Sequence, residues 1–505
     1  MQQPRSIALL LFAVALVAHF GYLALGDSHL LPGDSRDYLD AGRSLLERGT
    51  ILDSDGLPRT RRGPGYVPVV ALLGARPFAL TALNHLFGAL CAPLTFFLAL
   101  PLSRRIAVFA GSLVALHPDM VVWSDFVLSE PFFLVLMLAA LLLAQRSRYA
   151  LAGLVLGYAI VTRPIAVLVP IALALALTLS RKRRAAVVLL ACGYLFPLLW
   201  MARNRMEAGA TVLTSTAGEN LLLWRAGGAV AMQDRGFTLS LLPSAREDEL
   251  RHHLFAEVQP RLGRLALDEA RVRYGPNPTR LQIVDVSRSM GRHLILTTPL
   301  GFIESTIHSF VHMLCDPAEH WALLGLVISV PLALLALAGS LQPRAALLSA
   351  TFWSLVITTA GPEAATYTRF RLPLLPLMAI LAAAAASVAK SLPSPWRPPA
   401  FPSSSVPTTP RGRSARVWTR CAGRRFATSR SCWSTAHLMP RRCASRRRIR
   451  RSCSSTARRG STATRRGIGP LPGRAASCWS VSMRTSIRGR SGWPSSWRLT
   501  TGPAR

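Results

Sequence analysis

Two carboxylates near the start of the chain are the residues best placed for acid–base chemistry. Asp34 and Asp37 lie in the run GDSRDY at 33–38, directly after the first hydrophobic segment. A carboxylate held beside a hydroxyl group can take its proton, and ionisable groups at a membrane boundary usually attend to a polar substrate or an ion. Asp34 is equally suited to an N-cap role, because an amphipathic helical pattern begins there.

The element that must carry these carboxylates is a membrane bundle. Half of the residues are apolar and only 16% are charged, and the apolar residues form runs of roughly 15 to 25, the length that a helix needs to cross hydrocarbon. The sequence therefore predicts an all-α polytopic membrane protein of about ten transmembrane helices. The runs are 6–25, 77–101, 106–118, 127–145, 150–162, 164–180, 185–201, 320–341, 345–360 and 370–389.

Charge in the connecting loops predicts the orientation of these helices. If the N-terminus is cytoplasmic, the basic residues at 104–105, 146–148 and 181–184 all lie on the inner side, in agreement with the positive-inside rule. The C-terminus is then cytoplasmic too, and the loop at 27–65 is external, with an amphipathic helix lying on the outer surface. The richness in Ala, Arg and Leu is typical of a GC-rich bacterial genome, so we expect a bacterial inner (cell) membrane.

Four regions follow from this pattern. Residues 1–205 form a transmembrane core of seven spans with the first external loop, and residues 320–390 hold spans eight to ten. The segment 206–319 between them is too long for a mere connector. We expect it to be extracytoplasmic, helical around 245–273, and to contain an interfacial helix at 293–314.

The last region, 391–505, has an unusual composition. It holds 25 Arg, five of the eight Cys and six of the eleven Trp, with no Lys, Asp or Glu. This mixture predicts an Arg/Ser/Pro-rich tail that is disordered or translated out of frame. A basic arm for nucleic acid or anionic lipid is the alternative. Because the tail supplies 25 of the formal +35 charges, the body of the chain gives no reason to expect a nucleic-acid partner.

Five motifs give the chain a family resemblance. They occur in order and all fall on the predicted outer side, and together they resemble GT-C glycosyltransferases of the dolichyl-phosphate-mannose protein mannosyltransferase-like and aminoarabinose-transferase-like kind. The motifs are Asp-x-x-x-Tyr with Arg-x-Pro-Gly-Tyr (34–38 and 62–66), Ser-Glu-Pro-Phe-Phe (129–133), the Gly-rich span ending in Thr-Arg-Pro (154–164), Trp-Met-Ala-Arg-Asn (200–204) and Thr-Arg-Phe-Arg-Leu-Pro (368–373).

The resemblance implies an enzyme that moves a hexosyl or pentosyl group. Its donor would be a polyprenyl-phosphate-linked sugar from the outer leaflet of the membrane lipid, and its acceptor an extracytoplasmic protein, lipid or glycan. Direct displacement with inversion needs a base for the acceptor hydroxyl. By resemblance this base is Asp34, with Asp37 second.

The remaining predicted site residues follow from the same resemblance. Positive charge would stabilise the phosphate that leaves, a role for Arg203, Arg369 and Arg371, although arginines at span ends also commonly reach lipid headgroups. Four residues are expected to position substrate: Tyr38, Arg62, Tyr66 and Glu130. Glu130 could instead hold a divalent ion or cap its helix.

No metal site is predicted. Where the family often has an Asp-Glu pair, Asp34 is followed by Ser35, so any cofactor stays unknown. His308 and His312 are four residues apart and could share a metal, with Asp316 and His320 further on, but Pro317 interrupts that helix.

Two alternatives to an active enzyme remain. The aberrant tail suggests an inactive remnant of such an enzyme. A secondary transporter is the other alternative, and it would require ionisable or Gly/Pro-broken helices at mid-membrane. Motifs for nucleotide binding or for a nucleophile elbow do not occur in the sequence.

Overall fold

The computed structural model describes residues 4–25, 30, 33–238, 245–315, 322–359 and 368–389. These residues fold into α-helices, and within the described ranges the only β-type pairing is an isolated antiparallel bridge between Leu52 and Pro58. The all-α prediction is therefore confirmed. The predicted tail at 391–505 and the residues 316–320 lie outside the described part of the chain.

Each of the ten predicted hydrophobic runs coincides with a helix. These helices are α1 (Pro4–Leu25), α4 (Pro77–Ala99), α5 (Arg104–Leu116), α7 (Glu130–Gln145), α8 (Tyr149–Thr162), α9 (Val169–Leu179), α10 (Arg183–Ala208), α17 (Ala322–Gly339), α18 (Ala346–Thr359) and α20 (Leu375–Ala389).

Among the described residues, fewer than ten helices meet the length and hydrophobicity that a complete membrane span requires. Four helical stretches are long and apolar enough to cross a membrane, namely Pro4–Leu25, Pro77–Ala99, Arg183–Ala208 and Arg369–Ser387. Three bent helix pairs would bring the count to seven. The chain is thus a multi-pass membrane protein. The figure of ten spans stays a prediction, because several of the helices have fewer than 18 residues.

Short helices lie in the loops between the long ones. They are α2 (Asp34–Arg48), α3 (Val67–Leu72), α6 (Pro118–Ser124) and α19 (Thr368–Arg371). We keep the name first external loop for residues 27–65, after their predicted orientation. Helix α2 is amphipathic, as predicted, and buries Tyr38 and Leu39. It ends at Gly49, whose φ of 67° allows the left-handed C-cap conformation. A Cβ on Gly42 would lie 2.4 Å from Cγ1 of Val70, so this glycine lets α2 pack closely on α3.

The segment that follows α10 forms its own helical cluster. Its helices are α11 (Thr216–Asn220), α12 (Gly227–Arg235), α13 (Ala245–His252), α14 (Gln259–Tyr274), α15 (Arg280–Thr297) and α16 (Pro299–Cys315). They enclose an apolar core that includes Leu222, Met232, Leu254, Leu262 and Val286.

One helix prediction in this segment needs correction. The sequence predicts an interfacial or partly embedded helix over 293–314, but α15 and α16 meet within this run at a bend of 100°. Pro299 is the first residue of α16, and the residue before a proline is disfavoured in a helical conformation. The break is therefore a local backbone effect. The hydrophobic pattern does not reveal it, because the apolar run continues across Pro299.

Candidate active site

The carboxylate of Asp34 is held between two arginines. Gly33 occupies the N-cap position of α2, and no side chain caps the helix there. The side chain of Asp34 is therefore directed to other partners. Its Oδ1 accepts a hydrogen bond from Nη2 of Arg62, and its Oδ2 accepts one from Nη1 of Arg369 at 2.8 Å. The side chain keeps 21% of its surface exposed, so a substrate can reach it.

Glu130 holds the second half of the same cluster together. Its Oε1 accepts hydrogen bonds from Nε of Arg369 and pairs with Nη1 of Arg163 at 2.8 Å. Glu130 is fully buried. Its other oxygen, Oε2, is buried and has no hydrogen-bond partner among the described residues. The structure thus brings Asp34, Glu130 and Arg369 together from three separate parts of the chain.

Proline residues fix the helix ends that carry these side chains. Pro131 is at the start of α7, where its missing N–H costs nothing and its fixed φ suits a helix. At the end of α8, Pro164 forces Arg163 into an extended conformation with a φ of −142°. Glu130 and Arg163 are consequently presented at neighbouring helix ends.

Neighbouring arginines dominate the electrostatics of Asp34. Burial alone would raise the pKa of this carboxyl group, but the guanidinium groups of Arg369 and Arg62 outweigh that effect and hold the pKa well below its usual range. Burial alone would lower the pKa of Arg62, but the neighbouring Asp34, Tyr38 and Asp37 raise it above its usual range. In this state Asp34 is ionised and hence ready to accept a proton, but it is a weak base.

A buried ion-pair network shapes the first external loop. Asp37 pairs with Arg59 at 3.1 Å and with Arg62 at 3.0 Å, and Arg59 also reaches Asp53 at 3.2 Å. Arg59 is fully buried, and the side chain of Asp37 is only 5% exposed. Asp37 therefore contacts the arginine that holds Asp34, and it has much less access to a substrate than Asp34 has.

Two glycines allow this loop to lie directly on α8. A Cβ on Gly63 would be 1.9 Å from the carbonyl oxygen of Val161, and one on Gly65 would be 2.2 Å from Oγ1 of Thr162. The Gly65 N–H donates to the Val161 oxygen at 3.1 Å, and the hydroxyl of Tyr158 donates to the Gly65 oxygen at 2.8 Å. The Arg-x-Pro-Gly-Tyr motif thereby fixes the loop against the end of α8.

The two predicted tyrosines pack against each other but have different surroundings. Their rings lie edge to face, with centroids 5.3 Å apart. The hydroxyl of Tyr38 is 2.9 Å from Oγ of Ser129, next to Glu130. The hydroxyl of Tyr66 donates to Oδ1 of Asn84 at 3.0 Å, and Tyr66 is fully buried. Tyr38 lies at the edge of the cluster, whereas Tyr66 lies in the packing beneath it.

The other two predicted phosphate-binding arginines are placed elsewhere. Arg203 donates to the backbone oxygens of Arg59 at 2.8 Å and Ile51 at 3.3 Å, so it supports the first external loop. Arg371 is 1% exposed and pairs with Asp119. It also donates to the backbone oxygen of Leu314 at 3.3 Å. The structure does not bring these two arginines to the Asp34 cluster, and their role at a phosphate stays a prediction.

Sequence reasoning did not select three charged residues that pair with the predicted site residues. Arg163 contacts Glu130, Arg59 supports Asp37, and Asp119 neutralises Arg371. The Thr-Arg-Pro motif does indicate a role for Arg163. An arginine beside a proline-induced helix end is well placed to pair with a carboxylate at a neighbouring helix end, as Arg163 does with Glu130. The sequence contains no comparable signal for Arg59 or Asp119.

Comparison with known proteins supports the family resemblance. Residues 71–221 match the family model of dolichyl-phosphate-mannose-protein mannosyltransferases. Three of the five motifs fall inside this region, and the first external loop and the 368–373 motif fall outside it. The predicted resemblance to this mannosyltransferase family is thereby confirmed over residues 71–221. No curated protein matches the chain significantly.

Solved structures of two such proteins show a limited likeness. ArnT from Cupriavidus metallidurans bound to undecaprenyl phosphate is 16% identical, with a TM-score of 0.33 over 76% of this chain and 78% of that one. The apo state of the same protein is 17% identical, with a TM-score of 0.32 over 75% of this chain and 76% of that one. The oligosaccharyltransferase AglB from Archaeoglobus fulgidus, in complex with an inhibitory peptide and a dolichol-phosphate, is 12% identical. Its TM-score is 0.40 over 77% of this chain and 50% of that one.

Proposed function

We propose that this membrane protein is a glycosyltransferase that transfers a sugar from a polyprenyl-phosphate carrier to a hydroxyl group on an extracytoplasmic acceptor, with inversion at the anomeric carbon. The observation that carries the proposal is the partly exposed Asp34 carboxylate between Arg62 and Arg369, next to buried Glu130. It places a base and a cation beside each other, which is what displacement of a sugar phosphate requires.

The reaction would proceed as a single displacement. The acceptor oxygen forms a bond to the anomeric carbon while the bond from that carbon to the phosphate oxygen breaks. The electron pair of the broken bond leaves with the polyprenyl phosphate, and the acceptor proton passes to Asp34. The leaving phosphate is a weak base and needs no general acid, but a guanidinium group that faces it stabilises the growing negative charge.

Arg369 is the guanidinium best placed for that role. It contacts both Asp34 and Glu130, and its side chain is 12% exposed, whereas Arg371 is already neutralised by Asp119. A donor phosphate that draws Arg369 away from Asp34 would remove the strongest influence that lowers the pKa of Asp34. Donor binding would then make Asp34 a stronger base at the moment when it is needed.

Glu130, Arg62 and Arg163 act as positioning residues in this proposal. Glu130 fixes Arg369 and Arg163 through a single oxygen, and its free Oε2 can accept a hydrogen bond from a sugar or acceptor hydroxyl. Arg62 holds the Asp34 carboxylate in place. Asp37, the second predicted base, would act through Arg62 and Arg59.

The proposal is tested by the stereochemistry of transfer. Membranes that contain the chain are incubated with polyprenyl-phosphate-linked sugars of defined anomeric configuration, and the linkage in the product is determined by NMR. We expect a β-linked donor to give an α-linked product. Retention of configuration would contradict single displacement, and consumption of none of the lipid-linked sugars would contradict the donor class.

A further inference from the structure

We propose that Glu247, His308 and His312 form a binding site for a divalent transition-metal ion of the zinc class. The site lies in the segment after α10, and none of the residues proposed for sugar transfer takes part in it. It joins α13, which carries Glu247, to α16, which carries both histidines.

The donor atoms converge on one point. Oε2 of Glu247 is 2.8 Å from Nε2 of His308, and Oε1 is 3.8 Å from Nε2 of His312. One ligand atom from each residue can be chosen so that all three lie within 4.8 Å of one another. Bonds of about 2.0 to 2.1 Å in a tetrahedral site place donors about 3.3 to 3.4 Å apart, so shifts of about 1 Å bring the three donors around an ion.

Helix geometry explains why the two imidazoles face the same carboxylate. His308 and His312 are four residues apart, and such positions lie on one face of a helix. Their rings are 4.2 Å apart between centroids and inclined by only 30°. Two imidazoles and one carboxylate are a donor set that zinc commonly uses, with a fourth position left for water or another ligand.

Burial makes an ion a good occupant of this position. Glu247, His308 and His312 are 4%, 1% and 3% exposed, and a carboxylate that is withdrawn from water must be paired with a cation or coordinate a metal. The contact between Glu247 and His312 at 3.8 Å is too long for a hydrogen bond. An ion placed between them can be bound by all three side chains at once.

An ion here would act as a clamp between two helices that lie far apart in the chain. Arg371 donates to the backbone oxygen of Leu314, two residues after His312. The same short helix, α19, carries Arg369. Metal binding would thus tie α13 to the helix that contacts the Arg369-bearing segment, which makes the proposed role structural.

The test uses the full chain with an affinity tag that contains no histidine, purified in detergent and stripped of metal with a chelator. Co²⁺ is added as the probe, because its visible absorption reports tetrahedral coordination. Wild type is compared with His312→Gln and Glu247→Gln. His252→Gln is the matched control, since His252 is exposed in the same segment. Thermal melting is followed with and without Zn²⁺.

We expect a tetrahedral Co²⁺ band in the wild type and the control. Both site variants should lose the binding of one ion per chain. Their loss of affinity should exceed the roughly 10- to 100-fold that follows when a residue that only supports a metal ligand is replaced. Zn²⁺ should raise the melting temperature of the wild type and of the His252→Gln control, and leave that of both site variants unchanged. No band in the wild type, or an equal band in both site variants, would overturn the proposal. This readout does not depend on sugar transfer, so it can fail or succeed independently of the proposed function.

Discussion

Asp34 is an ionised carboxylate whose basicity is suppressed by its partners. Burial favours the protonated form, but Arg369 and Arg62 favour the charged form more strongly and lower the pKa. The ion pairs of Asp34 therefore contribute stability above the pKa that it has in the unfolded chain. That contribution is lost only as the pH falls through the lower pKa of the folded state.

The first prediction concerns the pH dependence of Arg369→Gln. Removing this guanidinium leaves the effect of burial opposed mainly by Arg62, so the pKa of Asp34 should rise. The acid limb of kcat/KM, which reports the free enzyme, should move to higher pH in Arg369→Gln and stay in place in Arg369→Lys. Identical acid limbs in wild type and Arg369→Gln would show that the acid limb does not report the ionisation of Asp34, and would contradict its role as the base.

The second prediction distinguishes Arg371 from Arg369. Arg371→Gln leaves Asp119 buried without its guanidinium partner, and breaking one half of a buried ion pair costs about 3–5 kcal/mol. We expect a large fall in the free energy of unfolding with an unchanged donor KM in the folded fraction. The exposed Arg344→Gln is the control. A raised donor KM at normal stability would instead assign Arg371 to the phosphate.

At the scale of the helices, the site depends on the close approach of the first external loop to α8. Gly63 and Gly65 have no side chain at the points where the loop meets Val161 and Thr162. This contact determines where Arg62, and through it Asp34, is held relative to Arg163.

The third prediction follows from that contact. Gly63→Ala would place a Cβ 1.9 Å from a backbone oxygen, which no side-chain rotation can relieve. We expect a loss of about 1–3 kcal/mol of stability and a lower transfer rate, because the Asp34 and Arg369 contacts shift. Gly21→Ala is the control, since its Cβ would have no atom within 4 Å. Normal stability and rate in Gly63→Ala would show that the loop is not held at this point.

Sequence patterns predict the elements better than the contacts between them. Apolar runs locate the membrane helices because length and hydrophobicity are local properties, and α2 follows from its apolar spacing and Gly49. The contact of Arg369 with Glu130 spans 239 positions and depends on helix packing, which a single sequence does not encode in readable form. The bend at Pro299 went unrecognised because the hydrophobic run continues across it.

At the scale of the whole molecule, every residue proposed for catalysis precedes the basic tail. The described cluster extends from Asp34 to Arg369, and the region that matches the family is 71–221. The tail supplies most of the formal charge of the chain but none of the proposed site.

The fourth prediction is that the tail is dispensable. A chain that ends after Lys390 should enter the membrane and transfer sugar at a rate within about twofold of the full chain, because the proposed site lies entirely before this point. Specific activity per folded protein in purified membranes is the measurement. A truncated chain that inserts normally but transfers no sugar would show that 391–505 contributes to function.

The most direct test of the central claim compares sugar transfer by wild type, Asp34→Asn and Asp40→Asn. Membranes that contain equal amounts of each protein receive a radiolabelled polyprenyl-phosphate-linked sugar, and labelled acceptor is counted. Asp40 lies on the same helix and, among the described residues, pairs with the exposed Arg43. We predict that Asp34→Asn lowers the rate by about 10²- to 10⁴-fold, the usual contribution of a general base, and that Asp40→Asn has no effect. Transfer by Asp34→Asn at the wild-type rate would contradict the assignment of Asp34 as the base.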